Sequence, residues 1–289
     1  MKTEWTVKRA IAYLISSTLV TLIVSLTGFV LWKKHQKGRL QSEAYRITAI
    51  IQTGLEKDAL PTAYLAEILG LSVDKPTQLY ALNVKKAEAL LLSSPLIANA
   101  KIKRMPPSTL YIDYEVRRPV CSLADFQNIA LDREGHLFPI TPFLSPKKLP
   151  EIYLGLTSWP GWHLKSPGLT LALEILRFLE TVPWTEGLRI QRIDVSNAFA
   201  SSLGTREVVL TTEEEVSFTK EDGEIVCYFP KILRLAPKDY ETQLNHFFTL
   251  RRAMIKDYKN QLTALKTGGK FAPRIIDLRI PHLAFVEKG

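Results

Sequence analysis

One long stretch without a charged residue dominates the N-terminal part of the chain. Residues 10–32, from Ala10 to Trp32, contain no Asp, Glu, Lys or Arg. As a helix they would extend about 35 Å at about 1.5 Å per residue, and the hydrocarbon core of a bilayer is about 30 Å thick. The stretch therefore predicts one transmembrane helix over residues 10–32, after a cytoplasmic stub of residues 1–9 and before a juxtamembrane linker of residues 33–44.

A cleavable signal peptide is the alternative interpretation of this stretch. Its apolar run is longer than the roughly 7–15 residues of a signal-peptide core. Lys33 and Lys34 follow Trp32 directly, without a small-residue cleavage site. Both observations favour an uncleaved anchor.

The charges beside the stretch leave its orientation open. Positive residues flank both ends: Lys2, Lys8 and Arg9 before it, and Lys33, Lys34, Lys37 and Arg39 after it. The positive-inside rule needs a clear asymmetry, and three residues plus the α-amino group against four do not provide one. The second cluster is well placed for contacts with anionic lipid headgroups.

Bulk composition excludes some classes of protein. Hydrophobic residues are 46% and charged residues 23% of the chain, as in ordinary folded domains. The net charge is +9, but the basic residues are scattered and form no basic helix, so we expect no nucleic-acid partner. Cys121 and Cys227 form no metal-binding pattern; either a disulfide or two separately buried thiols is compatible with the sequence.

Residues 45–116 predict a small α+β unit in the order β-α-α-β-β. Residues 45–52 are rich in isoleucine and predict a strand. One helix is expected to begin at Pro61 and end at Gly70, and a second to begin at Asn83. Alternation of apolar and polar side chains predicts strands around residues 100–103 and 110–116. The pattern is typical of helices packed on one face of a three-stranded sheet.

The motifs of this unit resemble those of the POTRA domain in the FtsQ/DivIB family of bacterial division proteins. Asn83 to Glu88 is similar to its N-x-x-x-A-E, Pro95 to Arg104 to its P-x-I-x-x-A-x-I-x-R, and Pro107 to Val120 to its P-x-T-L-x-I-x-Y-E-x-R-x-P-V. Three motifs in register over about 40 residues are a specific signal. The resemblance implies a POTRA domain over residues 45–118 and an FtsQ-type β domain over residues 119–289.

The β domain is predicted to be mixed and β-rich, with flanking helices. A hairpin turning at residues 132–135, a helix over 169–181 and a strand over 190–196 come first. Strands over 206–210, 215–218 and 225–235 follow, then a helix over 240–256. Ile276, Leu278 and Ile280 alternate with polar residues and are expected to be core, and residues 282–286 are expected to form the final strand. Glu213, Glu214 and Glu215 are interpreted as a solvated acidic run.

An enzyme hypothesis rests on two short motifs. Residues 145–148 read S-x-x-K and residues 266–268 read K-T-G, as in penicillin-binding acyl transferases. The serine would have to open a buried helix, but Ser145 lies among prolines, and S-x-x-K recurs at residues 72–75 and 217–220. The five histidines share no metal spacing, and no phosphate- or dinucleotide-binding motif is present. We expect no enzyme activity, cofactor, metal or small-molecule substrate.

The resemblance implies a bitopic scaffold of the divisome in the cell inner membrane, with the N-terminus cytoplasmic and the bulk of the chain periplasmic at the septum. The partners it implies are FtsB- and FtsL-type proteins, and beyond them FtsK-, FtsW- and FtsI-type proteins. The implied mechanism is strand addition at the edge of the β domain. The expected edge residues are Arg279, Ile280, His282, Leu283, Ala284, Phe285 and Val286, and the expected POTRA recruitment surface is Tyr45, Ile47, Lys101 and Lys103.

Two departures from the family pattern concern this edge. Residues 235–237 read Leu-Ala-Pro where relatives have L-G-R, and Ile280 stands where relatives have a tyrosine, followed by Pro281. The alternative function is a POTRA-bearing assembly or secretion factor of the cell envelope. Such proteins usually carry several POTRA repeats or a C-terminal β-barrel, and neither pattern is visible in this sequence.

Overall fold

A computed structural model describes residues 2–53, 59–145, 148–181, 187–220, 223–262 and 268–287. The chain divides into two compact units, residues 1–116 and 117–289. The helices are α1 (Lys2–Gln41), α2 (Thr62–Ile68), α3 (Val84–Leu92), α4 (Pro167–Thr181) and α5 (Tyr240–Leu262). The architecture is mixed α+β, as the sequence predicts.

The strands of the first unit are β1 (Ala49–Thr53), β2 (Ile97–Met105) and β3 (Thr109–Val116). Those of the second unit are β4 (Cys121–Leu123), β5 (Ile129–Leu131), β6 (Leu137–Pro139), β7 (Glu151–Tyr153), β8 (Leu188–Asp194), β9 (Val208–Lys220), β10 (Gly223–Leu235), β11 (Gly269–Lys270), β12 (Arg274–Asp277) and β13 (Phe285–Glu287). Short 3-10 turns occupy Glu43–Tyr45 and Leu203–Thr205.

Helix α1 contains the predicted anchor and is longer than it. Within the part of the chain that the structure describes, it is the one helix long and apolar enough to cross a membrane. It continues to Gln41, so most of the segment assigned as a linker from residue 33 is helical. Lysine-rich sequence favours this continuation because lysine is a good helix former and no proline interrupts it.

Individual residues determine where the helices of the POTRA-like unit begin and end. Asn83 caps α3 by accepting a hydrogen bond from the Lys86 backbone N–H at 3.1 Å. Gly70 has a φ of +64° just after α2, the left-handed position that favours glycine at a helix end. The sheet order is β1-β3-β2, with β1 parallel and β2 antiparallel to β3.

The second unit is built on a ten-stranded mixed sheet. The strand order is β13-β12-β10-β9-β8-β7-β4-β5-β6, and β11 pairs with β10 beside this path. One core joins the sheet to α4 and α5, with Leu233, Ile276, Ile175 and Phe247 almost inaccessible to solvent. The predicted hairpin is present as β5 and β6, with Gly135 at a φ of +85°. The arrangement places β13 and β6 at the two ends of the sheet.

The expectation for the acidic run was wrong at Glu214. This side chain is 1% exposed, and its carboxylate contacts Lys231 Nζ and, at 2.7 Å, Arg251. The run lies inside one continuous β9, which pairs with β8 and β10, rather than between two shorter strands. Strand geometry turns alternate residues to opposite faces, so Glu214 points into the core while Glu215 is exposed.

The two cysteines are separate free thiols, and both are buried. Burial, followed by the nearby carboxylates of Glu180 and Asp132, raises the pKa of Cys121 to about 12. A neutral, inaccessible thiol of this kind behaves as a small core residue.

Candidate functional site

Strand β13 is the terminal strand of the large sheet. It pairs antiparallel with β12, with Val286 opposite Ile276 and Phe285 opposite Asp277. In the part of the chain that the structure describes, no strand pairs with its other side. An edge of this kind presents backbone N–H and C=O groups that an extended segment of another chain can pair with.

The edge differs from the expected one in where the strand begins. Residues 282–286 were expected to form it, but β13 begins at Phe285. Before it the chain turns: Leu283 donates its N–H to Ile280 O at 3.2 Å, and His282 has a φ of +64°. Pro281 has no N–H to contribute to a ladder, which favours a turn over a strand at this point. His282, Leu283 and Ala284 are exposed and lie outside the ladder.

Ile280 is not a core residue, although alternation with Ile276 and Leu278 predicted it. Ile276 and Leu278 are buried, but Ile280 is 62% exposed. The strand β12 ends at Asp277, so the alternation no longer determines which side chains face the core after Leu278. Phe285 is 68% and Val286 37% exposed, which leaves apolar side chains along the edge.

Arg279 lies beside the edge but is occupied within the chain. Its guanidinium donates to Asp277, with Nη2 to Oδ2 at 2.7 Å, and lies 3.3 Å from Glu207 Oε2. Arg234 contacts the same two carboxylates, at 2.7 Å for Glu207 and 3.5 Å for Asp277. Two cations and two anions therefore form a closed network.

The network shifts the pKa values of Asp277 and Arg279. Partial burial opposes ionisation of Asp277, but the hydrogen bonds from Arg279 outweigh it and hold the pKa of Asp277 below its usual value. Hydrogen bonding to Asp277 raises the pKa of Arg279. Both groups are therefore charged at neutral pH and hold one another. Arg279 was predicted from the sequence as an edge residue. Glu207 and Arg234 were not predicted, because they are far from Arg279 in the sequence.

The four residues of the expected POTRA surface fall into two pairs. Lys101 and Lys103 are exposed on β2, at one edge of the three-stranded sheet. Tyr45 and Ile47 precede β1, at the other edge, and β3 lies between them. Tyr45 packs against Tyr80, with ring centroids 5.1 Å apart. The structure therefore does not bring the four residues into one continuous patch.

The two residues expected to bound the anchor lie in α1, with Ala10 near its start and Trp32 in its apolar part. Trp32 is 57% exposed, and its ring centroid is 6.0 Å from that of Phe29. Tryptophan is typical of the membrane interface, where an amphipathic ring lies at headgroup level. Farther along the helix, the Arg39 guanidinium lies 5.1 Å from the centre of the Tyr80 ring in the same unit.

One side-chain group has the composition of a metal site. Ligand atoms of Asp132, Glu134 and His136 lie within 4.8 Å of one another. Asp132, however, accepts the backbone N–H groups of Glu134 and His136 and the guanidinium of Arg117 at 2.9 Å. Its oxygens thus accept hydrogen bonds that stabilise the β5–β6 turn, and we assign no metal role to the group.

The acyl-transferase motifs have no active-site geometry where the structure describes them. Residues 72–75 lie in an exposed bend, and residues 217–220 lie in β9. Residues 146–147 of the third S-x-x-K and residues 266–267 of K-T-G are outside the described residues. A nucleophile of this class needs a helix start with the lysine one turn on, and neither described copy provides it.

A model of a known protein family matches part of the chain. The family model described as "POTRA domain, FtsQ-type" matches residues 56–114, which include α2, α3, β2 and most of β3. No curated protein matches the chain. A POTRA domain of the FtsQ type behind one N-terminal apolar helix supports assignment of this chain to the FtsQ/DivIB family of cell-division proteins.

Proposed function

We propose that the chain is a non-enzymatic, single-pass scaffold of the bacterial division septum. The observation that carries the proposal is the FtsQ-type POTRA match over residues 56–114 together with the apolar helix α1. The family is one of non-catalytic scaffolds, and a cell-division role follows from it in general terms. We propose further that the protein links early and late division proteins and thereby controls septal peptidoglycan synthesis.

The partners of this proposal are FtsB- and FtsL-type bitopic proteins, with FtsK-, FtsW- and FtsI-type proteins reached directly or through them. Strand β13 supports binding by strand addition because it is a terminal strand with exposed Phe285 and Val286. Backbone pairing would supply affinity, and the side chains along the edge would supply specificity.

The proposed location is the inner membrane, with the N-terminus in the cytoplasm and both folded units outside it. Reporter fusions at the C-terminus test this topology. Activity of a reporter that works only outside the cytoplasm is the expected result. Activity of a cytoplasm-dependent reporter would overturn both the topology and the division role.

Imaging of a fluorescently tagged full-length chain tests the division role itself. A band at the division plane is expected. An even signal around the envelope would instead favour the alternative, an assembly or secretion factor.

A proline scan of β13 tests the strand-addition mechanism. In an antiparallel ladder, successive residues point their N–H groups alternately toward and away from the neighbouring strand. Phe285→Pro, Val286→Pro and Glu287→Pro should therefore fall into two classes. Prolines that remove an outward N–H should reduce co-purification of the FtsB-type partner without lowering the unfolding temperature, and prolines that remove an inward N–H should destabilise the edge. Normal partner binding by all three folded variants would contradict strand addition at β13.

A further inference from the structure

A pocket lies where helix α1 leaves the uncharged stretch and meets the POTRA-like part of the first unit. Its volume is about 490 Å³. The residues that line it are Leu31, Lys34, His35, Gly38, Arg39, Ser42 and Tyr45. Positions 31, 34, 35, 38 and 39 follow the i, i+3, i+4, i+7, i+8 spacing of one helix face. No Asp or Glu is among the lining residues, and we call this site the basic pocket.

Contacts with the POTRA-like part fix the outer wall of the basic pocket. The Arg39 guanidinium lies 5.1 Å from the centre of the Tyr80 ring. The Tyr45 ring packs against the same ring, with centroids 5.1 Å apart. The Leu79 backbone N–H donates to Tyr45 O at 2.8 Å. The end of α1 and the chain that follows it are therefore held in one arrangement, and the pocket is preorganised.

The pocket has an excess of positive charge. Among the residues that the structure describes, Glu43 pairs with Arg46 at 2.8 Å, and no carboxylate pairs with Lys34 or Arg39. Gly38 lies between these two cations along the helix, and a Cβ at this position would have no atom within 4 Å. Two cations thus border an open floor, and the ligand that complements their charge is an anion.

The depth of the pocket in the bilayer indicates which anion it meets. With the midpoint of residues 10–32 at the bilayer midplane, Leu31 lies about 15 Å, Lys34 about 20 Å and Arg39 about 27 Å from the midplane. The hydrocarbon core ends about 15 Å from the midplane, and the headgroup region ends about 20–22 Å from it. Lys34 therefore lies at the level of the lipid phosphates, and Arg39 lies just outside them, where its long side chain reaches them.

We propose that the basic pocket binds one anionic phospholipid from the leaflet that faces the POTRA-like unit. Lys34 and Arg39 contact the lipid phosphate, and Leu31 packs against the start of an acyl chain. The hydroxyl groups of Ser42 and Tyr45 provide hydrogen bonds to the headgroup. The bound lipid thereby links the anchor to the POTRA-like unit. This inference uses α1 as the membrane anchor and is independent of strand addition at β13.

The structure makes this prediction more specific than the basic cluster in the sequence does. Lys33 and Lys37 belong to the same cluster, but they do not line the pocket. General attraction to an anionic membrane depends on all four basic residues, whereas a seated lipid depends on Lys34 and Arg39. The two kinds of binding can therefore be separated by substitutions that remove equal charge.

The test uses the full-length chain in a neutral detergent, with phosphatidylglycerol as the probe and native mass spectrometry as the measurement. One bound phosphatidylglycerol per chain is expected. The double variant Lys34→Gln/Arg39→Gln should bind it about thirtyfold more weakly, which is about 2 kcal/mol for two basic residues. The double variant Lys33→Gln/Lys37→Gln removes the same charge from the same helix and should change the affinity by less than about threefold.

Gly38→Leu tests the space in the pocket separately from its charge. Leucine is a better helix former than glycine, and the Cβ of residue 38 meets no neighbouring atom, so α1 should remain intact. The leucine side chain should occupy the floor of the pocket and lower the affinity for phosphatidylglycerol by about tenfold or more. Circular dichroism should show at least the helix content of the wild type.

Four results would each overturn the proposal. Equal losses of affinity in the two double variants would show attraction by net charge alone. Normal binding by Gly38→Leu would place the lipid outside the pocket. Equal affinity for phosphatidylcholine would show that the negative charge of the lipid is not recognised. Displacement of phosphatidylglycerol by inorganic phosphate at a similar concentration would identify a site for free phosphate rather than for a lipid.

Discussion

The buried carboxylate of Glu214 makes the sharpest stability prediction. Its two oxygens contact Lys231 and Arg251, and Lys231 has no solvent-accessible surface. Burial lowers the pKa of Lys231, and the charge of Glu214 opposes that effect. Replacing Glu214 by Gln leaves two cations facing an amide in the core.

Breaking a buried ion pair from one side costs about 3–5 kcal/mol, because a charge is left without compensation. For a unit of this size, a loss of 3–5 kcal/mol lowers the unfolding temperature by roughly 6–20 °C. Glu214→Gln should show a decrease of this order. Lys231→Met should cost less, because it removes the most deeply buried charge and leaves the Glu214–Arg251 contact in place. The exposed neighbour gives the matched control: Glu215→Gln should change stability by less than about 0.5 kcal/mol.

The sign of the pH dependence provides a second criterion. In Glu214→Gln, burial still lowers the pKa of Lys231 in the folded state, and no carboxylate at position 214 opposes it. The Lys231 pKa is therefore lower in the folded state than in the unfolded chain. The unfolded state then binds more protons, so stability rises with pH. The defect of Glu214→Gln should therefore shrink between pH 7 and about pH 9.

Tryptophan fluorescence is a suitable assay for this unit. The chain has five tryptophans, at positions 5, 32, 159, 162 and 184, and none in residues 33–158. A thermal or urea transition followed by tryptophan emission in detergent therefore reports the second unit and not the POTRA unit. Equal stability of Glu214→Gln and Glu215→Gln would contradict this prediction, and so would a loss of stability in Lys231→Met as large as that in Glu214→Gln.

Three further predictions concern local features. Because burial raises its pKa, Cys121 should resist a thiol reagent at pH 8 until the protein unfolds, and its contribution to stability should fall as pH rises above about 8.5, where the unfolded thiol ionises. Gly135→Ala should destabilise the second unit, because a Cβ at this positive φ would lie 2.6 Å from Leu164 O; tryptophan emission measures it. Asn83→Ala should cost the POTRA unit about 0.5–2 kcal/mol through loss of the α3 cap to Lys86, measured by amide hydrogen exchange.

The glycine and asparagine predictions each have a matched control variant. Gly161 also has a positive φ, of +93°, but a Cβ there would have no atom within 4 Å. Gly161→Ala therefore carries the backbone strain of about 1–2 kcal/mol alone, and equal losses at the two glycines would contradict the clash at Gly135. Asn83→Ser should retain most of the cap, because serine also accepts the hydrogen bond. Rapid labelling of Cys121 in the folded protein would show that its site is open.

The sequence predicted best where local chemistry decides the structure. The long apolar helix α1 follows from an uncharged run, α3 from the cap at Asn83, and the end of α2 from Gly70. The β5–β6 hairpin follows from the turn at Asp132, whose carboxylate accepts two backbone N–H groups. In each case the determining residues lie within a few positions of the element.

Prediction from the sequence failed where a side chain contacts a residue that is distant in the sequence. Glu214 looked solvated because Lys231 and Arg251 lie 17 and 37 residues away. A signal was nevertheless present: Glu214 has the same strand parity as the buried Leu210 and Val216. Extending the period of two through the acidic run would have placed its carboxylate in the core.

The edge site shows the same limit. The alternation of apolar and polar residues predicted that Ile280 is a core residue, but β12 ends at Asp277 and the chain turns between Ile280 and Leu283. The loop of Leu203 could not be associated with Arg279 from the sequence, because a contact over 75 residues leaves no local pattern. What the sequence did identify was the segment that holds the terminal strand.

Amide hydrogen exchange along β13 tests the central claim most directly, because strand addition acts on backbone N–H groups. The full-length chain is compared with and without its co-purified FtsB-type partner. Partner binding should slow exchange within Phe285–Glu287 at alternate residues, those whose N–H groups point away from β12. Unchanged exchange across β13 in a stoichiometric complex would contradict it and would place the binding site elsewhere on the protein.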